Sequence, residues 1–189
     1  MTRDAFARRL TRLLLTVAVT SAMPPAWGGD IHIGMARDRI HNEMLVVDAD
    51  ATFEFSADAV DALDSGIPLT ITLEVRLSRP RRYLWDPEVL YALRSYAIEH
   101  HALSKQFVVT DNVTGNRRVH ATLDLALADL GRIRDVPITD RSNLGEPPLD
   151  YALRLRLDLK ALPGPLIPIA YVSPGWRTSS GWYRWQTQR

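Results

Sequence analysis

The sequence predicts a mostly β domain, an immunoglobulin-like or similar two-layer β-sandwich with two short helices. Three observations carry that expectation. From Gly66 to Arg79, Ile67, Leu69, Ile71, Leu73, Val75 and Leu77 alternate with Pro68, Thr70, Thr72, Glu74, Arg76 and Ser78, the two-residue period of a strand with one dry face. The pattern recurs from Tyr151 to Lys160, where Tyr151, Leu153, Leu155, Leu157 and Leu159 oppose Arg154, Arg156, Asp158 and Lys160. The capped helical signals, near Ala57 to Ser65 and Thr122 to Leu130, are short beside these strands.

Composition sets the class. With 46% apolar and 24% charged residues over 189 positions, the chain lies in the range of a folded protein, and a single domain is expected. The formal net charge is +1, but Arg3, Arg8, Arg9 and Arg12 against Asp4 place +3 in the first 28 residues. The remaining −2 gives no general attraction to nucleic acid. The absence of cysteine excludes disulfides, iron–sulfur centres, thiolate metal sites and an acylated lipoprotein terminus, so the core alone must stabilise the fold.

Residues 1–28 read as an export signal: a basic head, an apolar run from Leu13 to Met23, then small residues ending at Ala26-Trp27-Gly28. A run of 11 residues is too short to cross a hydrocarbon layer of roughly 30 Å as a helix. Cleavage is expected near Gly28, leaving a lead-in over residues 29–44 and a single β-rich domain over 45–189. The alternative is that Arg8 to Met23 persists as an amphipathic or anchoring helix. Ala7 and Leu10-Thr11-Arg12 around Arg8-Arg9 make a poor twin-arginine match.

Taken in order, Leu45, Val47, Ala49, Ala51, Phe53 and Phe55 alternate with Asp48, Asp50, Thr52 and Glu54, predicting a strand with its acids in water. Ser56 is placed to cap a short helix that Gly66 closes, and the Gly66 strand follows. Arg79-Pro80-Arg81-Arg82 breaks that strand. Glu88 to His101 fits a helical stripe through Val89, Ala92, Leu93 and Tyr96 and also a long strand; a helix over Asp86 to Glu99 would make the fold α+β. Gln106 to Thr110 and Arg118 to Ala121 form a hairpin around Asp111 to Asn116. Thr122 caps the second helix and Gly131 ends it, a loop runs from Val136 to Pro148, and the Tyr151 strand comes next. Pro163-Gly164-Pro165 and Pro168 predict an extended edge or crossover. Trp176, Trp182, Tyr183 and Trp185 form a terminal aromatic segment that closes the sandwich, with Trp185 partly exposed.

Gly66-Ile67-Pro68-Leu69, Tyr83-Leu84-Trp85-Asp86, His101-Ala102-Leu103, the Leu123 to Gly131 stretch, Leu162-Pro163-Gly164-Pro165-Leu166 and the Trp176 to Trp185 tail resemble the proteobacterial family called domain of unknown function 4390. The resemblance covers nearly all of the chain beyond the signal. It implies an exported, cell-envelope protein encoded near a two-component sensor kinase, with no assigned activity, and it favours strand over Trp85 to Val109.

Glu99-His100-His101 offers metal-ligand types, but neighbours on a strand point to opposite faces, so a site would take Glu99 and His101 with His120. That set defines the alternative reading, a metal-binding protein or hydrolase centred on His101. No nucleophile elbow, Ser-x-x-Lys, phosphate loop or cysteine is present, and no cofactor is expected. Paired acids such as Asp48 with Asp50 are explained by strand alternation. Arg76, Arg79, Arg81 and Arg82 beside Trp85, together with Trp185, form the candidate interaction surface, suited to an acidic protein face or to anionic lipid. The competing reading is a solvated turn that discourages edge pairing. The functional expectation is an exported, non-catalytic interaction module, periplasmic or on the outer side of the inner membrane, whose partner is an envelope protein, a membrane sensor kinase among the candidates.

Overall fold

A computed structural model describes residues 28–79, 88–144 and 148–186. Residues 1–27, with most of the predicted signal, lie outside the described residues, as do Arg81, Arg82 and Trp85. The described chain runs β1 (Asp30–His41), β2 (Met44–Glu54), α1 (Ala57–Asp64), β3 (Leu69–Ser78), β4 (Glu88–His101), β5 (Gln106–Asp111), β6 (Arg117–His120), α2 (Leu123–Leu130), β7 (Arg132–Asp140), β8 (Asp150–Leu157), α3 (Ile167–Val172) and β9 (Tyr183–Gln186). These strands make two antiparallel sheets, a small one ordered β1-β2-β7 and a large one ordered β6-β5-β4-β3-β8-β9.

The core lies between the sheets. From the large sheet, Leu69, Ile71, Leu73, Val75 and Leu77 of β3 join Ile98 of β4 and Leu153 and Leu155 of β8. Ile31, Leu45, Val47 and Ile133 meet them from the small sheet. Each of these side chains removed from water contributes at most about 1.5–3 kcal/mol, and β3, paired on both edges, concentrates five of them.

Local chemistry sets the helix ends. Ser56 Oγ accepts from the Ala59 N–H at 3.3 Å, and Gly66 adopts φ 78° just after the helix, where a side chain would be strained. Thr122 Oγ1 accepts from the Leu125 N–H at 3.3 Å. Gly131 does end α2, but not through a left-handed turn: its φ is −72°. It is glycine because an added Cβ would collide with the Ala51 carbonyl oxygen, while its own carbonyl accepts from the Ala51 N–H at 2.9 Å.

Several expectations are corrected. The polar stretch taken as a lead-in is β1, whose register shift between Ile33 and Met35 interrupts the alternation that would have revealed it. Residues expected as a loop from Val136 belong to β7, where Pro137 is tolerated because β7 is an edge strand. The proline-rich segment after β8 folds as tight turns and the short helix α3 instead of an extended crossover. Residues 88–101 are a strand, so the helical alternative for Asp86 to Glu99, and with it the α+β fold, is set aside. The described residues hold nine strands.

The Gly131 contact yields a direct test. Gly131→Ala is expected to lower the stability measured by urea denaturation by about 1–3 kcal/mol, the cost of overpacking a fixed contact. An unchanged midpoint would show that the α2–β7 junction can shift away from β2.

Candidate functional site

On a sheet with one dry face, polar residues of the other face normally stand in water. Glu74 does not: it lies on the outer side of β3, yet it is 1% exposed. The pairing of β3 with β8 explains this, because Glu74 stands opposite Arg154, and Arg156 follows two residues on along the same face. Arg154 donates to Glu74 Oε2 at 2.5 Å and Arg156 Nε to Oε1, so the two guanidinium groups cover both carboxylate oxygens. Tyr91 of β4 directs its hydroxyl at the same carboxylate. Burial pushes the Glu74 carboxyl up, but the hydrogen bonds from Arg156 and Arg154 outweigh it and hold its pKa below the usual carboxylate range. Burial, and then the Glu74 charge, push the Tyr91 hydroxyl up, keeping it a neutral donor.

Around this centre the outer face carries a layered stack. The Trp182 ring has Arg76 at 4.3 Å on its centroid and Arg154 at 4.5 Å, and Arg76 also lies 5.3 Å from the Tyr91 ring. A cleft of about 530 Å³ opens beside the stack, lined by Arg76, Ser78, Asp150, Trp182, Arg184 and Gln186 among others. Asp150 is occupied by the Gln186 amide at 2.8 Å. Arg184 is exposed and has no ion pair among the described residues. Leu93, 52% exposed, and Tyr91, 40% exposed, extend an apolar surface from the stack. Around the stack and cleft, Arg76, Arg154, Arg156 and Arg184 therefore stand with two carboxylates, Glu74 and Asp150, both already engaged.

The small sheet repeats the device. Asp48, also 1% exposed, accepts from Arg37 Nε and Arg39 Nε at 3.2 Å and from the Asp135 N–H at 2.9 Å. That N–H is aimed inward by a bulge at which Asp135 takes φ 53°. Burial raises the Asp48 carboxyl, but the Asp135 N–H and the two arginines prevail and lower it. A second cleft, of about 370 Å³, has three of its arginines committed, Arg118 to Asp129 at 2.5 Å, Arg134 to Asp50, and Arg94 to the Pro137 carbonyl at 2.9 Å, while Arg132 on its rim is exposed.

The residues singled out from sequence are distributed as follows. Arg76 sits in the stack. Arg79 is exposed, with a long contact of 3.5 Å to the Leu144 carbonyl. Trp185 turns to the inner side, stacks on Tyr151 at 5.2 Å and donates its indole N–H to Asp38 at 2.9 Å, tying β9 to β1. Glu99 and His101 share the outer face at 3.5 Å, whereas His120 lies on the inner side against Asp129 at 3.1 Å, so the three are not brought together. His100 stacks on Phe107, and its Nδ1 is 3.3 Å from Asp64 without a hydrogen bond between them. Among the described residues no three His, Asp or Glu side chains gather with metal-binding spacing. Arg154, Arg156, Trp182 and Arg184 were not marked as functional from sequence; the available signal was a lone acid on one predicted core strand and two arginines on the other.

The sequence model of a family described as a domain of unknown function (DUF4390) matches residues 29–186, and the chain belongs to that family. No curated protein and no solved structure matches it.

The lowered carboxylates fix a pH dependence. Their ordinary values are 4.5 for Glu74 and 3.8 for Asp48, and both are lower in the folded chain. They therefore add stability above those values and lose it as pH falls toward the lowered folded values. The urea midpoint is expected to drop between about pH 5 and pH 3. Glu74→Gln should cost about 2 kcal/mol at neutral pH, since the carboxylate lies just beneath the surface, and should flatten the acid decline. Parallel pH profiles for the two proteins would contradict this assignment.

Proposed function

We propose that this member of the DUF4390 family is an exported, non-catalytic interaction module that holds an acidic segment of an envelope protein on the outer face of its large sheet. The observation that carries the reading is the Arg76–Trp182–Arg154 stack over a carboxylate that is already neutralised. Arginine, tryptophan and tyrosine are the side chains that dominate protein interfaces, because a planar cation or ring loses little entropy when fixed. Here they are fixed before any partner arrives, which lowers the cost of binding. Arg184 and the adjoining cleft supply unspent positive charge, while Leu93 and Tyr91 supply apolar area beside it. This mosaic suits a protein segment better than a lipid headgroup layer, which would engage cations without using the apolar shelf.

The basic head and apolar run of residues 1–28 support export to the envelope. The family resemblance implies a gene near a two-component sensor kinase, and the proposal is that the acidic segment belongs to an envelope protein of that kind.

A photo-crosslinking side chain placed at Leu93 in living cells tests the reading. The expected product is an adduct to an acidic peptide, identified by mass spectrometry, that falls at least about tenfold with Arg184→Glu. Arg184 makes no ion pair among the described residues, so an unchanged melting temperature shows that the loss is not unfolding. Adducts that ignore Arg184→Glu, adducts to lipid, or yields at Leu93 no higher than at the exposed Val113 would each overturn it.

A further inference from the structure

The helix α3 has six residues, and its burial is inverted for a surface helix. Ala170 is fully buried, whereas Ile169 is 55%, Tyr171 48% and Val172 77% exposed. Exposed apolar side chains of this size on one short element mark a contact surface rather than scatter. The helix is held rigidly: Ser173 Oγ donates to Asp58 of α1 at 3.0 Å, Arg177 donates to the Tyr171 carbonyl at 3.0 Å, and Trp176 is packed into the core.

Its position in the fold says what covers it. Gly28 lies against the Pro174 carbonyl, just past α3, so closely that a Cβ there would stand 3.0 Å from the oxygen. Gly29 is wedged between Glu54, Ser56 and Thr178, and Leu157 at the end of β8 donates to the Thr178 carbonyl at 3.0 Å. The segment that precedes Gly28 therefore leaves the domain beside α3. Met23, the last residue of the apolar run Leu13–Met23, is five residues before Gly28, and five residues of chain reach at most about 18 Å. The strand register places the β4–β5 turn, with fully exposed Leu103, at the same end of the large sheet as the end of β8.

The geometry points to α3 as a shallow lipid-docking tip, resting in the interface of the bilayer that takes up the apolar run Leu13–Met23. Six residues do not span a bilayer, and no helix among the described residues is long and apolar enough to do so, so the contact is interfacial. Tyrosine beside aliphatic side chains suits that depth, with the ring in the headgroup zone and Ile169 and Val172 below it. Charge of one sign does not dominate the contact: Arg156, Lys160 and Arg177 near Tyr171 are joined by Asp158, and Asp58 stands against Ser173 at the end of α3. Neutral lipid should therefore suffice. One short apolar element gives weak, reversible binding, and stable attachment takes two, so cleavage near Gly28 would leave α3 as a reversible contact. This inference concerns a different surface from the arginine–tryptophan face and stands or falls separately from it.

The chain contains no cysteine, so Val172→Cys in the full-length protein provides a single attachment point for an environment-sensitive dye, and Val113→Cys, at the opposite end of β5 from Leu103, provides the reference. With phosphatidylcholine vesicles the dye at position 172 is expected to shift to the blue and to be quenched by lipids spin-labelled near the headgroup, while the dye at 113 does neither. Addition of phosphatidylglycerol should change little. A dye at 172 that stays water-like on vesicle-bound protein would overturn the inference, as would failure to bind vesicles. So would a dye at 172 already shifted without vesicles, the signature of residues 1–27 or a second copy covering α3.

Discussion

The carboxylate of Glu74 constrains more of this fold than any other single group. An acid on the solvent side of a central strand can be 1% exposed only if counter-charges cover it, and Arg154 and Arg156 do so from the neighbouring strand. An ion pair so placed requires one register of β3 against β8, because a slip of one residue would turn the arginines into the core. The same bonds hold Arg154 under Trp182, so the interaction that sets the register also builds the surface. Structure and proposed function thus share one cause on the large sheet.

Asp48 shows that the device is used twice with different outcomes. On the small sheet the covering groups are two arginines of the adjacent strand and a backbone N–H turned inward by a bulge. Arg37 and Arg39 there are spent on Asp48 and Asp135, Arg134 is spent on Asp50, and neither Arg37 nor Arg39 lines the second cleft. On the large sheet Arg184 and the adjoining cleft remain. This difference assigns a structural part to Asp48 and a structural and presenting part to Glu74.

The sequence revealed what depends on local period. β3 and β8 alternate without interruption and are the strands read most clearly; Ser56, Gly66 and Thr122 cap where their chemistry says they should. Strands broken by bulges were missed, since the shift at Ile33–Met35 and the left-handed Asp135 each destroy the two-residue period that identifies a strand. Gly131 was recognised as a helix end for a reason that does not apply, because its need for a missing Cβ comes from β2, far away in sequence. The site was the least legible part. Arg76 was marked within a run of arginines, but its companions Arg154 and Trp182 join it only through strand pairing, which periodicity does not specify.

The central claim is that ionised Glu74 organises the arginine–tryptophan face, and the most direct measurement is an NMR titration that follows the Glu74 side-chain carboxyl carbon and the Trp182 indole N–H together. The account predicts a Glu74 midpoint below its ordinary 4.5, with the Trp182 signal moving at the same midpoint as protonation releases Arg154. A Glu74 midpoint at or above 4.5, or a Trp182 signal that does not respond to it, would contradict the claim.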